Sequence, residues 1–435
     1  MQAISAAARA GLVLSFLVSS CGIVAAASPV ASVVRVSTKA NGGQVFAESQ
    51  SPKISPDGKQ VVFSSLASNL VAGDTNGRSD IFLKTLSNNA IKLISTSSAG
   101  VKGNNSSYGP VFSPDGKKVA FYSFARNFDG GKNPLFIEDV YVKDLVSGKL
   151  TLVSKSKSGV PGNDDSIYPV FTPDGKSILF QSKASNLVPN DTNGVSDIFI
   201  KSLTTGSISR LSTTLADGQL NGPSFQVRMA PSGVRFMYSS QASNLFNGDT
   251  SGTDIFLYDG PSDNLYLVSS NSAGQQANSD CNLPEFSPDS NWVVFESNST
   301  NLVSTPTGGM HQIFLKSLTT GKVTLISASK TGAAGNANSD HARFSPDGKS
   351  VIFESVSSNL VAGDSNQKTD IFIKTISTGA ITRVSVAASG LQSNDHSSNP
   401  MFGPNAKMIA YASKATKLVS GDSNSVQDVF VAKLK

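Results

Sequence analysis

Cysteine is nearly absent from these 435 residues: there are two, Cys21 and Cys281. Cys21 falls in an N-terminal leader, so no internal disulfide framework is available and the fold has to stand on burial and strand pairing. Cys281 has no histidine at a motif spacing, which removes the pattern of a nucleophilic cysteine. Charge is also scarce, at 15% of residues, and the net +5 is spread over the chain with no run of like charges. That excludes a disordered polyelectrolyte and leaves no footprint for nucleic acid. The 37 Gly and 19 Pro are too few for a low-complexity chain. No stretch keeps a helical period over three turns, and beyond the N-terminus no apolar run is long enough to span a bilayer.

The leader has one positive charge in residues 1–11, Arg9, then apolar residues 12–18 and 22–27. Ala25-Ala26-Ala27 before Ser28 has the small-x-small form of a signal-peptidase site, giving a signal peptide over 1–27 and a periplasmic or secreted protein. Val18-Ser19-Ser20-Cys21 also reads as a lipobox. In that alternative 1–20 is removed and Cys21 is lipidated, and membrane contact is expected only then.

What the sequence has in abundance is self-similarity. A Ser-Pro-Asp-Gly type of turn recurs with its proline at Pro56, Pro114, Pro173, Pro231, Pro288, Pro346 and Pro404, spaced by 57 to 59 residues. Each repeat carries four short apolar segments. In the second they are 110–112, 119–123, 139–145 and 150–154, rich in Val, Ile, Phe and Tyr and bounded by Gly, Pro, Asn, Asp and Ser. The expectation is an all-β, seven-bladed β-propeller over 32–435, with four antiparallel strands per blade and no second domain. The chain ends after a third-type strand, 428–434, while a spare fourth-type strand lies at 33–37. The N-terminal strand is therefore expected to complete the last blade and close the ring.

Phe112-Ser113-Pro114-Asp115-Gly116-Lys117, with near-copies from Phe171 and Phe344, resembles the repeat of TolB-like propellers, relatives of the WD-type repeats. The resemblance covers 32–435 and implies the propeller fold. TolB itself resembles six blades behind an α/β domain, so a Tol–Pal role is not implied. The resemblance also admits polysaccharide lyases with histidine-bound metal, but the spacing of His311, His341 and His396 fits no metal motif. There is no Gly-x-Ser-x-Gly elbow and no length left for a hydrolase domain. The chain is therefore expected not to be an enzyme. It is read as a monomeric scaffold without cofactor, binding an envelope or extracellular protein or a glycan through its loop-rich face. A polysaccharide lyase and a calcium-stabilised surface protein are the alternatives.

Comparison between repeats separates frame from site. Ser65, Ser123, Ser182, Ser240, Ser297, Ser355 and Ser413 end every second strand. Asp80, Asp139, Asp197, Asp254, Asp370 and Asp428 open the third strands, with Gln312 the exception. A small hydroxyl and a carboxylate at fixed places suit loop roots. The loops ahead of them carry oxygen ligands at calcium-loop spacing: Asp74, Asn76 and Asp80; Asp191, Asn193 and Asp197; Asp364, Asn366 and Asp370; Asp422, Asn424 and Asp428. Blade 4 has a shorter version with Asp249, Ser251 and Asp254. The position-5 carboxylate and the bidentate Glu are missing, and Asx-turns account for the same residues. Residues that differ between blades mark the candidate ligand face: Tyr108, Tyr168, Asp340, His341 and His396 near the inner strands, with Arg228, Glu285 and Arg343 three positions before the turn proline. The charged trio reads either as an inter-blade ion-pair network or as a patch for a ligand, with the tyrosines as anchors.

Overall fold

The computed structural model describes residues 28–128, 136–246 and 252–435. Seven four-stranded antiparallel sheets form the blades of a propeller, and no helix occurs among the described residues. None is therefore long and apolar enough to cross a membrane. The leader and Cys21 lie outside the described residues, as do Asp249 and Ser251.

Blade 1 shows the plan: an inner strand Ser49–Ile54, then Gln60–Ser65, Asp80–Thr85 and a short outer strand Ile91–Leu93. The second and third strands are apolar on both faces because each blade is covered by its neighbours. Stacked Phe pairs join them, such as Phe63–Phe82 at 6.0 Å and Phe180–Phe199 at 5.8 Å between ring centroids. The core lies between blades: Val61, Phe63 and Phe82 of blade 1 pack with Ala410, Val429 and Val431 of blade 7.

Blade 7 consists of Ser397–Phe402, Met408–Ser413, Asp428–Leu434 and the N-terminal Val30–Arg35, so the ring closes as the spare fourth-type strand implied. The outer strands stop two residues earlier than the apolar pattern suggests. The reason is the serine that follows: Ser95 turns inward and donates to Asp80 Oδ1 at 2.5 Å while accepting from Ile81 N. The same bond recurs between Ser154 and Asp139, Ser212 and Asp197, Ser269 and Asp254, Ser385 and Asp370, and Ser327 and Gln312. At the closure it joins Ser37 to Asp428 at 2.5 Å, across 391 residues.

Two further devices repeat. The serine ending each second strand pairs with the first residue of the inner strand, as Ser65 with Ser49, and Cys281 takes the inner place opposite Ser297. Cys281 is fully buried there, its thiol pushed up to about 12 by burial, so it is a packing element. Five third strands carry a buried lysine, Lys84, Lys143, Lys201, Lys316 and Lys374. Each ammonium donates to carbonyls of the preceding blade, as Lys84 Nζ does to Thr38 O at 2.8 Å and Lys39 O at 3.0 Å. These lysines tie blade to blade where the sheets share no strands.

Candidate functional site at the channel mouth

The inner strands line the central axis and start at the loop-rich face. Each contains a β-bulge near that end. In blade 4, Phe225 pairs with Ser239 and Arg228 with Met237, so Gln226 and Val227 lie opposite one residue. Pro stands at the second bulge position in five blades (Pro52, Pro110, Pro169, Pro284, Pro400), where its missing N–H cannot serve a ladder. The first bulge residue is left-handed in all seven: Ser51, Gly109, Tyr168, Gln226, Leu283, His341 and Asn399, with φ from 48° to 58°. Backbone strain of this kind at non-glycine residues costs on the order of 1 kcal/mol each and gathers where side chains are re-aimed. Polar groups of adjacent blades meet the freed N–H groups: His341 N donates to Glu296 Oε1, Asn399 N to Glu354 Oε2 at 2.6 Å, and Leu283 N to Gln226 Oε1 at 2.7 Å.

The tyrosines, Asp340 and His341, which sequence comparison set near the inner strands, lie inside them. Tyr108 and Tyr168 are not equivalent, since the bulge position of blade 2 is Gly109. They meet through Tyr122, whose ring centroid is 6.0 Å from Tyr108 and 5.5 Å from Tyr168. Tyr168 is 52% exposed, so this three-ring cluster offers an open aromatic face. Burial, and then the charge of Asp165, pushes the nearby Glu138 carboxyl up to about 7.

Three blades further round, two of the three histidines gather with carboxylates. His311 Nδ1 lies 3.4 Å from Asp340 Oδ1, and His341 Nδ1 3.1 Å from Glu354 Oε1. One ligand atom each from Glu296, His311 and Asp340 falls within 4.8 Å of the others. Glu296 is only 4% exposed, and burial pushes its carboxyl up to about 8 against the pull of His341. Burial likewise raises Asp340. Burial would lower His341, but the hydrogen bond and charge of Glu354 outweigh it and hold the imidazole above its ordinary value. His396 stands apart, its Nδ1 3.0 Å from Thr369 Oγ1. The histidine spacing along the chain fits no metal motif, yet His311 comes close to Glu296 of its own blade and Asp340 of the next, and only the blade-to-blade contact brings that third residue in. Glu296 and Glu354 escaped notice because each stands just before the final serine of a second strand, and those strands were compared only at that serine.

Arg228, Glu285 and Arg343 occupy equivalent inner-strand positions, each immediately after the two-residue bulge. Arg228 Nε donates to Glu285 Oε2 at 2.9 Å, and Arg343 Nη1 donates to the same oxygen. The two arginines outweigh burial and keep Glu285 below its ordinary value.

The Asp/Asn loops each carry their own cation. Arg210 Nη1 sits 3.3 Å from Asp191 and 3.8 Å from Asp197, Arg383 Nη1 3.0 and 3.7 Å from Asp364 and Asp370, and Arg35 Nη1 3.0 and 3.6 Å from Asp422 and Asp428. Lys102 lies 3.7 Å from Asp74. Asn76, Asn193 and Asn366 donate to the third-strand aspartates at 2.9 to 3.0 Å.

No family model matches the chain. Dipeptidyl-peptidase 5 of Porphyromonas gingivalis is 33% identical over 126 residues, 29% of this chain, and the match spans 16% of that protein's length. Among solved structures, an oligogalacturonate lyase in complex with manganese is similar with a TM-score of 0.55 and 14% identity, covering 93% of both chains. Oligogalacturonate lyase of Vibrio parahaemolyticus is similar with a TM-score of 0.56 and 13% identity, covering 92% of this chain and 93% of that one. TolB of Acinetobacter baumannii is more distant, with a TM-score of 0.41, 15% identity and coverage of 91% and 81%. At these identities the likeness establishes the β-propeller fold. It also corrects the expectation that the chain is not an enzyme. That expectation rested on a histidine spacing that fits no metal motif, the missing Gly-x-Ser-x-Gly elbow and the lack of length for a hydrolase domain, yet two oligogalacturonate lyases are similar to this chain over 93% of their own length, so a lone propeller does not exclude catalysis.

Proposed function

We propose that the protein is a carbohydrate-active propeller that takes an acidic glycan at the channel mouth and cleaves it by β-elimination. The observation that carries this reading is the convergence of Glu296, His311 and Asp340 within 4.8 Å beside His341. One imidazole and two carboxylates suit a divalent ion such as manganese better than a soft metal. Bound there, such an ion supplies Lewis acidity that neutralises a uronate carboxylate and acidifies the adjacent C–H.

The chain's own residues account for the rest. The Tyr108–Tyr122–Tyr168 face offers a stacking surface for a pyranose ring. The Glu354 carboxylate lies 3.1 Å from His341 Nδ1 and favours the proton on that nitrogen, leaving Nε2 to accept a proton. In the elimination His341 Nε2 takes the proton α to the uronate carboxylate. That electron pair becomes the new C=C bond, the C–O bond to the leaving sugar breaks, and the leaving oxygen takes a proton from water. Glu296 anchors the strained His341 backbone through its amide.

The test is incubation of the purified protein with polygalacturonate and manganese, following the ultraviolet absorbance of the unsaturated uronate product. Manganese-dependent turnover that is lost in His341→Ala and Glu296→Gln supports the reading. Retention of the glycan in affinity electrophoresis without turnover overturns elimination and leaves glycan recognition.

A further inference from the structure

The fifth residues of the seven inner strands form one level of the axial channel: Lys53, Val111, Val170, Arg228, Glu285, Arg343 and Met401. Three are cations and one is an anion, and the other three carry no charge. Glu285 is shared by Arg228 and Arg343 through a single oxygen, Oε2. Beyond that, Arg228 donates only to Val227 O, at 2.9 Å, so most guanidinium N–H groups have no acceptor among the described residues. Lys53 makes no hydrogen bond and no ion pair among the described residues. The side chains of Arg228, Glu285 and Arg343 keep 19%, 27% and 28% of their surface, so solvent reaches this level.

An ion-pair network built for stability alone matches its charges, and this one does not. Glu285 neutralises one arginine, and nothing in the ring answers the second or Lys53. Cations set at one level of a narrow channel repel one another unless a counter-charge is present.

We infer that the axial channel holds an oxyanion site between Lys53, Arg228 and Arg343, taking a phosphate- or carboxylate-sized group, with Glu285 as a built-in competitor that also spaces the two guanidinium groups. Guanidinium forks and an ammonium are the donors such groups pair with most strongly. Burial, and then the charges of Arg343 and Arg228, pull Lys53 down to about 7, so an arriving anion relieves a repulsion already present. This site does not depend on the reading of the mouth as a lyase centre, since it is read out with no glycan and no metal.

The experiment is isothermal titration with inorganic phosphate at constant ionic strength, chloride being exchanged for phosphate. Saturable one-site binding is expected. Lys53→Met removes a cation without breaking any bond, and it weakens binding at least tenfold. Glu285→Gln removes the competitor and tightens binding several-fold, with circular dichroism confirming that the ring is intact. If Glu285→Gln unfolds the protein, Lys53→Met decides alone. Phosphate indistinguishable from chloride, or an unchanged affinity in Lys53→Met, overturns the site.

Discussion

Removing one hydroxyl at the ring closure tests whether the N-terminal strand holds the propeller shut. Ser37 Oγ donates to Asp428 Oδ1 at 2.5 Å and accepts from Val429 N at 2.9 Å, both in fully buried surroundings. Ser37→Ala removes a hydrogen bond to a charged group, worth about 1.5–3 kcal/mol, and leaves a buried N–H unpaired at a further cost of about 1–3 kcal/mol. After partial relaxation the expected loss is roughly 3 kcal/mol. Ser212 makes the same two bonds in blade 3, to Asp197 at 2.5 Å and from Ile198 N at 2.9 Å, so Ser212→Ala removes the same local chemistry. What differs is the intervening chain: 15 residues in blade 3, against 391 at the closure. In blade 3 the chain keeps the outer strand beside its partner, whereas at the closure nothing but the strand pairing does. Native-state hydrogen exchange separates the two. In Ser37→Ala, amides of Val33, Val34, Arg35 and their partners Phe430, Val431 and Ala432 lose protection by roughly two powers of ten, ahead of the rest of the ring. In Ser212→Ala, protection falls only as far as global stability falls. The same exchange pattern in both variants, or closure amides still protected to the global level in Ser37→Ala, refutes the reasoning.

Stability should dip near pH 7–8. Burial holds Asp80 and Asp428 up near 6 and Glu138 near 7, so each binds its proton more tightly when folded, and that stability is lost as pH climbs through those values. Burial pulls Lys84, Lys201 and Lys316 down to about 8 from 10.5, so their folded forms shed a proton first and stability rises again above pH 8. Urea midpoints taken from pH 4 to 10 would sink this if they were flat or peaked near pH 7.5. The bulge is checked by opposite signs: Ser51→Gly, at φ 54°, is neutral to stabilising by up to about 1 kcal/mol. Gly109→Ala drives a Cβ into the Tyr122 ring and loses about 2 kcal/mol or more, and the reverse order in denaturant melts would rule the strain argument out. The melting temperature is expected to be equal in EDTA and in calcium, because Arg35, Arg210, Arg383 and Lys102 already balance the Asp loops. Arg383→Met strands Asp364 and Asp370 and costs roughly 3 kcal/mol, part of which calcium restores, whereas a calcium shift in the unaltered protein would contradict the arginine bridge.

The ring was legible because its signals are local and repeated. Seven proline turns and a spare strand at 33–37 specify blade number and closure without any long-range information. The outer strands were read too long because Ser95 and its counterparts continue an apolar run while their hydroxyls turn inward to Asp80 and its counterparts. The left-handed bulges left little trace, since only Gly109 and Asn399 belong to types that favour that conformation. The corner at His341 was hidden for a different reason. His311 and Asp340 are 29 residues apart in successive blades, and alignment of repeats shows which positions correspond, not which ones touch. Comparing the residue before each second-strand serine (Ser64, Tyr122, Gln181, Ser239, Glu296, Glu354, Ala412) would have marked Tyr122, Glu296 and Glu354 as departures.

The seven bulge residues are Ser, Gly, Tyr, Gln, Leu, His and Asn, no two alike. Their backbones are near copies, so the frame has the rotational symmetry of a seven-toothed gear while the chemistry around its rim has none. A guest entering along the axis meets seven superimposable frames but only one arrangement of side chains, and so can seat in a single rotation. Because these residues are released from the ladder, their side chains carry no part of the strand pairing, although Gly109 is crowded by Tyr122 and Gln226 also caps the Leu283 N–H. The rim therefore works like a combination lock: one housing, and a setting fixed by which side chain stands at each dial.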